Sequence, residues 1–199
     1  MDLLQFQADP SAFRESLLID TDVGPMPFGE CMDPFQKEDF AALDDGWLRA
    51  VNGSDVSARY SRAWIELPRG HGKTLSLGIM AMWALFASRR QLSGIGAAGD
   101  QDQARLLRDA IARLVYINPW LTRILDVNAY LVRNKKTGST LEIISSDAGT
   151  SYGLTPDFCI CDEVANAWQH KNGEDLWTSL LSSAAKRAGD RPWSVENRL

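Results

Sequence analysis

The residues with the most chemistry in them are Arg69-Gly70-His71-Gly72-Lys73-Thr74 and, far downstream, the adjacent carboxylates Asp162-Glu163. Glycines at 70 and 72 permit a tight turn and let backbone N–H groups approach phosphate oxygens closely. Lys73 would place a point charge on the β and γ phosphates of ATP, and the Thr74 hydroxyl would be a ligand of Mg²⁺. Asp162 would hold the hydration shell of that ion, and Glu163 would orient and deprotonate the water that attacks the γ phosphate. Arg69 either neutralises charge developing on the transferred group or pairs with Glu66 at the surface. His71 reads as a filler of this phosphate-binding segment, because no second histidine is near it and magnesium prefers oxygen donors.

Each half also has a plain structural reading. The strict pattern G-x-x-x-x-G-K-[ST] needs a glycine where Leu67 stands, and Asp-Glu after a strand can be a helix N-cap followed by a favourable first-turn acid. Taken together they favour nucleotide hydrolysis. Phe158-Cys159-Ile160-Cys161 is a continuous apolar run suited to a strand covered on both faces, and ligands of open α/β sheets gather at the carboxyl ends of strands.

The elements that must carry these groups follow from periodicity. Ala63 to Leu67 reads as a strand, the glycine loop follows, and Lys73 to Ser88 is a helix apolar on nearly every face. Gly94 to Ala98 is a second strand, and Gln101 to Tyr116 is a covering helix with one wet face. Asn118-Pro119 starts a short helix through Leu125, and Tyr130–Val132 with Thr140–Ile144 form a hairpin whose tip carries Lys135 and Lys136. Helices are expected over Gln36–Val51 and Glu174–Arg187. Residues 1–33, punctuated by proline and glycine, are expected to be an extended lead-in with little structure of their own, and 188–199 a polar tail. Alternating strands and helices predict an α/β fold with a mostly parallel sheet flanked by helices.

Charge is distributed unevenly. The 199 residues carry 21 basic and 26 acidic side chains, yet 59–138 hold 13 basic against 5 acidic, whereas 1–58 hold 3 against 12. Phosphate chemistry therefore belongs to the middle third. The basic side chains at Arg133, Lys135 and Lys136 and at Arg89-Arg90 suit DNA phosphates, but a solvated hairpin tip and a helix C-terminus account for them equally well. Cys31, Cys159 and Cys161 form no CxxC pair, so a disulfide framework or zinc site is not expected, and Cys159 and Cys161 read as core residues. The run Leu77 to Ala87 is too short to span a bilayer, and the chain reads as a soluble cytoplasmic protein.

The order of these motifs resembles the ATPase domain of tailed-phage terminase large subunits. Pro34-Phe35-Gln36 is similar to the adenine-side segment of that family, in which Gln36 would read the base. Glu66 to Thr74 resembles its Walker A variant, in which the leading glycine is often missing and an arginine stands where Arg69 does. Gly99-Asp100 running into Gln103-Ala104-Arg105 resembles the segment after the next strand, and Ser145-Ser146-Asp147, then Tyr152 to Pro156, leads to the Walker B pair Asp162-Glu163. The resemblance covers roughly 34–187 and implies a P-loop NTPase of catalytic-glutamate type that uses ATP and Mg²⁺ to package double-stranded DNA. It further implies a terminase small subunit, a portal protein and a homo-oligomeric ring as partners, and a site of action inside a bacterial host.

After Arg187 no coupling motif or nuclease domain of that family is recognisable, so nuclease activity is not expected, and a truncated product or a motor half completed by another polypeptide fits the pattern. Two other functions compete with the packaging motor. Asp162-Glu163-Val164-Ala165 resembles the DEAx box of helicase-like translocases, although a second motor lobe is not apparent. A nucleotide-binding fragment without turnover is the non-enzymatic reading.

Overall fold

The computed structural model describes residues 3–53, 56–146, 155–164, 171–185 and 193–198. Residues 3–31 are folded, contrary to the expected extended lead-in with little structure of its own. Helices α1 (Leu3–Ala8) and α2 (Pro10–Ser16) lead into a hairpin of β1 (Leu18–Thr21) and β2 (Gly24–Pro27), then a single helical turn, α3 (Phe28–Cys31). Asp9 caps α2 by accepting from the backbone N–H groups of Ser11 and Ala12, with Pro10 at the first helical position. Phe13, Leu17 and Phe28 are buried in the main core. The next helix, α4 (Pro34–Asn52), receives this segment through a two-pronged bond from Arg14 to Asp44, at 2.7 and 2.9 Å. Proline and glycine here mark the ends of short elements, which gain their stability only by docking and so leave little local signal.

The α/β part follows: β3 (Arg62–Glu66), α5 (Lys73–Ala87), β4 (Ser93–Ala98), α6 (Gln101–Ile117), a 3₁₀ turn at Leu121–Arg123, and β5 (Leu125–Val127). Then come β6 (Leu131–Asn134), β7 (Thr140–Ser145), β8 (Phe158–Asp162), α7 (Lys171–Ala185) and β9 (Trp193–Arg198). The sheet order is β3-β9-β8-β4-β7-β6-β5. From β3 to β7 neighbours are parallel, and β6 and β5 are antiparallel. This is the mostly parallel, helix-flanked α/β sheet that the alternation predicts.

Helix α5 is apolar all round because it is enclosed: every residue from Leu77 to Ala87 is buried, between the sheet on one side and α1, α4 and α6 on the others. Strand β4 lies at the centre of the sheet and is built of small residues for a steric reason. A Cβ on Gly94 would lie 2.2 Å from the ring of Phe158, so only glycine lets that buried phenylalanine pack across the neighbouring strand. Cys159 and Cys161 are buried core residues, as expected.

The end of the chain corrects the expectation of a polar tail over 188–199. Residues 193–198 form β9, inserted between β3 and β8, in register with Glu66 at Arg198 and with Cys161 at Glu196. Polar composition hid this strand, whose identity comes from the two neighbours it pairs with. The short helix expected from Asn118 to Leu125 is only a 3₁₀ turn, and its last residue already belongs to β5. The helix expected to end at Arg187 is α7; residues 186–192 lie outside the described part.

Candidate nucleotide site

Strand β3 delivers the glycine loop to the carboxyl edge of the sheet. Gly70 and Gly72 have φ of 83° and 70°, in the left-handed region that side-chain-bearing residues avoid, and Gly72 is the residue from which α5 starts. The loop therefore ends on the first turn of a buried helix, with Lys73 and Thr74 in that turn. Strand β8 runs parallel to β3 with β9 between them, so Asp162 and Glu163 emerge at the same edge.

There the side chains meet. The Thr74 hydroxyl donates to Asp162 Oδ2 at 2.6 Å, and Lys73 Nζ lies 3.3 Å from Glu163 Oε1 while donating to the Leu67 carbonyl at 3.1 Å. Asp162 has no exposed surface and Lys73 is 8% exposed. Burial pushes the Asp162 carboxyl above the ordinary carboxylate range. The Glu163 charge adds to that shift, while the Thr74 hydrogen bond and the Lys73 charge oppose it. Glu163 is the one non-glycine residue with positive φ among the described residues, at 55°, an uncommon backbone state of the kind that clusters at functional sites.

An open depression of about 580 Å³ lies over these groups. The loop residues Arg69, Gly70, Gly72, Lys73 and Thr74 line one side with Glu163, and Asp100, Gln103 and Leu106 line the other. The last three come from the β4–α6 junction, where Asp100 caps α6 by accepting from the Gln103 N–H at 2.8 Å. The sequence reading placed Asp100 and Gln103 in a resembling segment without a site role, and it did not single out Leu106. The signal was present in a turn that follows a strand of small residues.

Gln36 and His71, both expected site residues, do not line this depression. Gln36 is buried behind the loop: its Oε1 accepts from the Asp33 N–H at 3.0 Å, and its Nε2 donates to Ser76 Oγ at 3.5 Å. It lines a narrow slot between α4, β3 and α5 that shares Lys73 with the depression. His71 is exposed, with Nδ1 3.1 Å from the Arg69 carbonyl oxygen and its ring 5.9 Å from that of Phe35. The stretch from Asp147 to Leu154, part of the expected approach to Asp162, lies outside the described residues.

The donor set suits Mg²⁺. Thr74 and Asp162 offer adjacent oxygens, and among the described residues no cluster of three or more His, Cys, Asp or Glu forms a self-sufficient cage. Magnesium characteristically takes one or two protein oxygens and completes its shell with water and substrate phosphates.

The model of the terminase large subunit ATPase domain matches residues 34–188. Among solved structures, the large terminase of bacteriophage HK97 superposes with a TM-score of 0.70 at 20% identity, covering 100% of this chain and 38% of that one. The ATPase domain of the Thermus phage P74-26 large terminase does so with a TM-score of 0.52 at 19% identity, covering 77% of this chain and 68% of that domain. At such identities the structural likeness speaks for the fold. This chain thus spans 38% of the length of the HK97 protein. No curated protein matches it.

Proposed function

This chain belongs to the terminase large subunit ATPase domain family, and from that premise we propose that it hydrolyses ATP to drive double-stranded DNA into a phage capsid. The observation that carries this reading is the meeting of Lys73, Thr74, Asp162 and Glu163 at one sheet edge, although they come from elements far apart in sequence.

Each residue has a separate task. Backbone N–H groups of the loop and the first turn of α5 receive the phosphates, helped by the helix dipole. Lys73 now pairs with Glu163 and moves onto the β and γ phosphates when nucleotide enters, which leaves the Glu163 carboxylate unpaired and facing the depression. Glu163 then takes a proton from water as the water oxygen attacks the γ phosphorus. The bond to the bridging oxygen breaks, and ADP and inorganic phosphate are left. Thr74 and Asp162 would hold Mg²⁺, which when bound neutralises phosphate charge. Arg69, exposed in the loop, would stabilise charge on the transferred group. Gln36 would act on the base side from behind the loop.

The same reading assigns duplex DNA, a small terminase subunit, a portal protein and neighbouring copies in a ring as partners, and a bacterial cytoplasm as the site of action. No described helix is long and apolar enough to cross a membrane. The test is DNA-stimulated phosphate release by the wild-type chain, Lys73→Ala and Glu163→Ala, each alongside nucleotide binding. Both variants should lose turnover, and Glu163→Ala should keep nucleotide binding. Hydrolysis at the wild-type rate by Glu163→Ala would remove it as the base.

A further inference from the structure

The opposite edge of the sheet carries a second assembly of charge. Strand β7 runs parallel to β8, so the β6–β7 turn that precedes it lies at the amino ends of the strands, away from the nucleotide loop. Asn134 organises this turn: its Oδ1 accepts from the N–H groups of Lys136 and Thr137, and its Nδ2 donates to the Leu85 carbonyl in the last turn of α5 at 2.8 Å. Two further segments are tied to the same turn. Ser139 Oγ donates to the Arg90 carbonyl at 3.0 Å, which brings in Arg89, and Lys135 N–H donates to the Ile124 carbonyl at 2.8 Å, which brings in Arg123.

Arg89, Arg123, Arg133 and Lys136 are exposed, and their side chains make no hydrogen bond or ion pair among the described residues. The Lys135 ammonium rests on the Thr122 carbonyl, at 2.8 Å. The arginines of α6 differ: Arg105, Arg108 and Arg113 each pair with a carboxylate. Asp126, opposite Arg133 in register, is the one acid in β5 and β6, and the buried Asp157 is taken up by Arg90 at 2.9 Å, so Arg89, Arg123, Lys135 and Lys136 leave the pole positive on a chain of net charge −5. Uncompensated cations on a backbone this tightly tied suit a partner of dense, regular negative charge.

We propose that this basic pole grips the phosphate backbone of duplex DNA, on the side of the domain away from ATP. The inference rests on the motor reading and adds the place of contact. It also gives α5 a mechanical role: the same rod of 15 residues, roughly 22 Å long, begins at Lys73 and carries in its last turn the carbonyl that holds Asn134.

The experiment measures binding of a mixed-sequence 30-base-pair duplex by fluorescence anisotropy across a salt series, for the wild-type chain and for the triple variant Arg89→Gln, Arg123→Gln, Lys136→Gln. Basal ATP hydrolysis and the melting temperature are followed in parallel. Removing three phosphate contacts should flatten the log–log salt slope by about 2.7 and weaken binding on the order of 10²-fold, with basal hydrolysis and melting unchanged. An unchanged slope overturns the proposal, as does a wild-type chain that binds no duplex, or a triple variant that alters only self-association. If the wild-type chain binds duplex with the expected slope but hydrolyses no ATP, the motor reading fails while the contact surface stands.

Discussion

At the carboxyl edge of the sheet Lys73 and Asp162 are buried and held by Glu163 and Thr74, whereas at the amino edge Arg89, Arg123, Arg133 and Lys136 are exposed and, unlike Arg90 with its Asp157 partner, make no ion pair among the described residues. The difference separates chemistry from contact. Asp162 and Lys73 are buried beneath the depression, so each charge acts strongly on its neighbour and Thr74 and Asp162 already meet before a nucleotide arrives. Around Asn134 the backbone is tied by hydrogen bonds, but the cations it presents are exposed, which suits a salt-dependent grip on a polyanion rather than catalysis.

Substitutions at the two edges should therefore act on different observables. The largest effect is expected for Glu163→Gln, which keeps the shape of the side chain and removes the base. Phosphate release should fall by about 10²- to 10⁴-fold while nucleotide affinity stays within a few-fold, measured by single-turnover kinetics and by titration with a fluorescent ATP analogue. A comparable loss of affinity would place Glu163 in binding rather than proton transfer.

Next in size is Asn134→Ala. It strands the Leu85 carbonyl and two turn N–H groups and should cost about 1–3 kcal/mol in chemical denaturation, with basal hydrolysis per folded molecule unchanged. If basal hydrolysis fell with it, the two edges would be coupled through α5 even without DNA.

Asp162→Asn should move stability the other way. Because burial raises the Asp162 pKa, the ionised form penalises the folded state. This penalty is absent below the unfolded value of about 3.8, grows through the interval up to the raised folded value, and is fully present above it. In metal-free, nucleotide-free protein the variant should therefore melt a few degrees higher than wild type at neutral pH, and the difference should vanish in acid. Equal melting at all pH values would contradict the burial account. The smallest effect is expected for Arg123→Gln alone, which should lower the DNA salt slope by about 0.9 and leave hydrolysis untouched.

Much of the carboxyl edge was legible in sequence because its signals are local. Gly70, Gly72, Lys73 and Thr74 are contiguous, and the apolar run before Asp162 announces a covered strand. The amino edge was legible only in pieces: the basic hairpin tip and the Arg89-Arg90 pair were visible as separate features, each with an ordinary explanation. Arg123 carries no local signal, since nothing in its neighbourhood of the chain hints that Ile124 pairs with Lys135.

The same division runs through the whole molecule. Residue order alone determined the helical and extended periods, the turn chemistry of the phosphate loop and the kinds of functional group available, all set by interactions within a few residues. Tertiary structure decided that Trp193–Arg198 stands between β3 and β8 and that residues 3–31 fold onto α4 and α5. It also decided that Thr74 and Asp162 come within 2.6 Å of each other. These outcomes depend on hydrogen-bond partners and buried surfaces supplied by distant parts of the chain, which local periodicity does not encode.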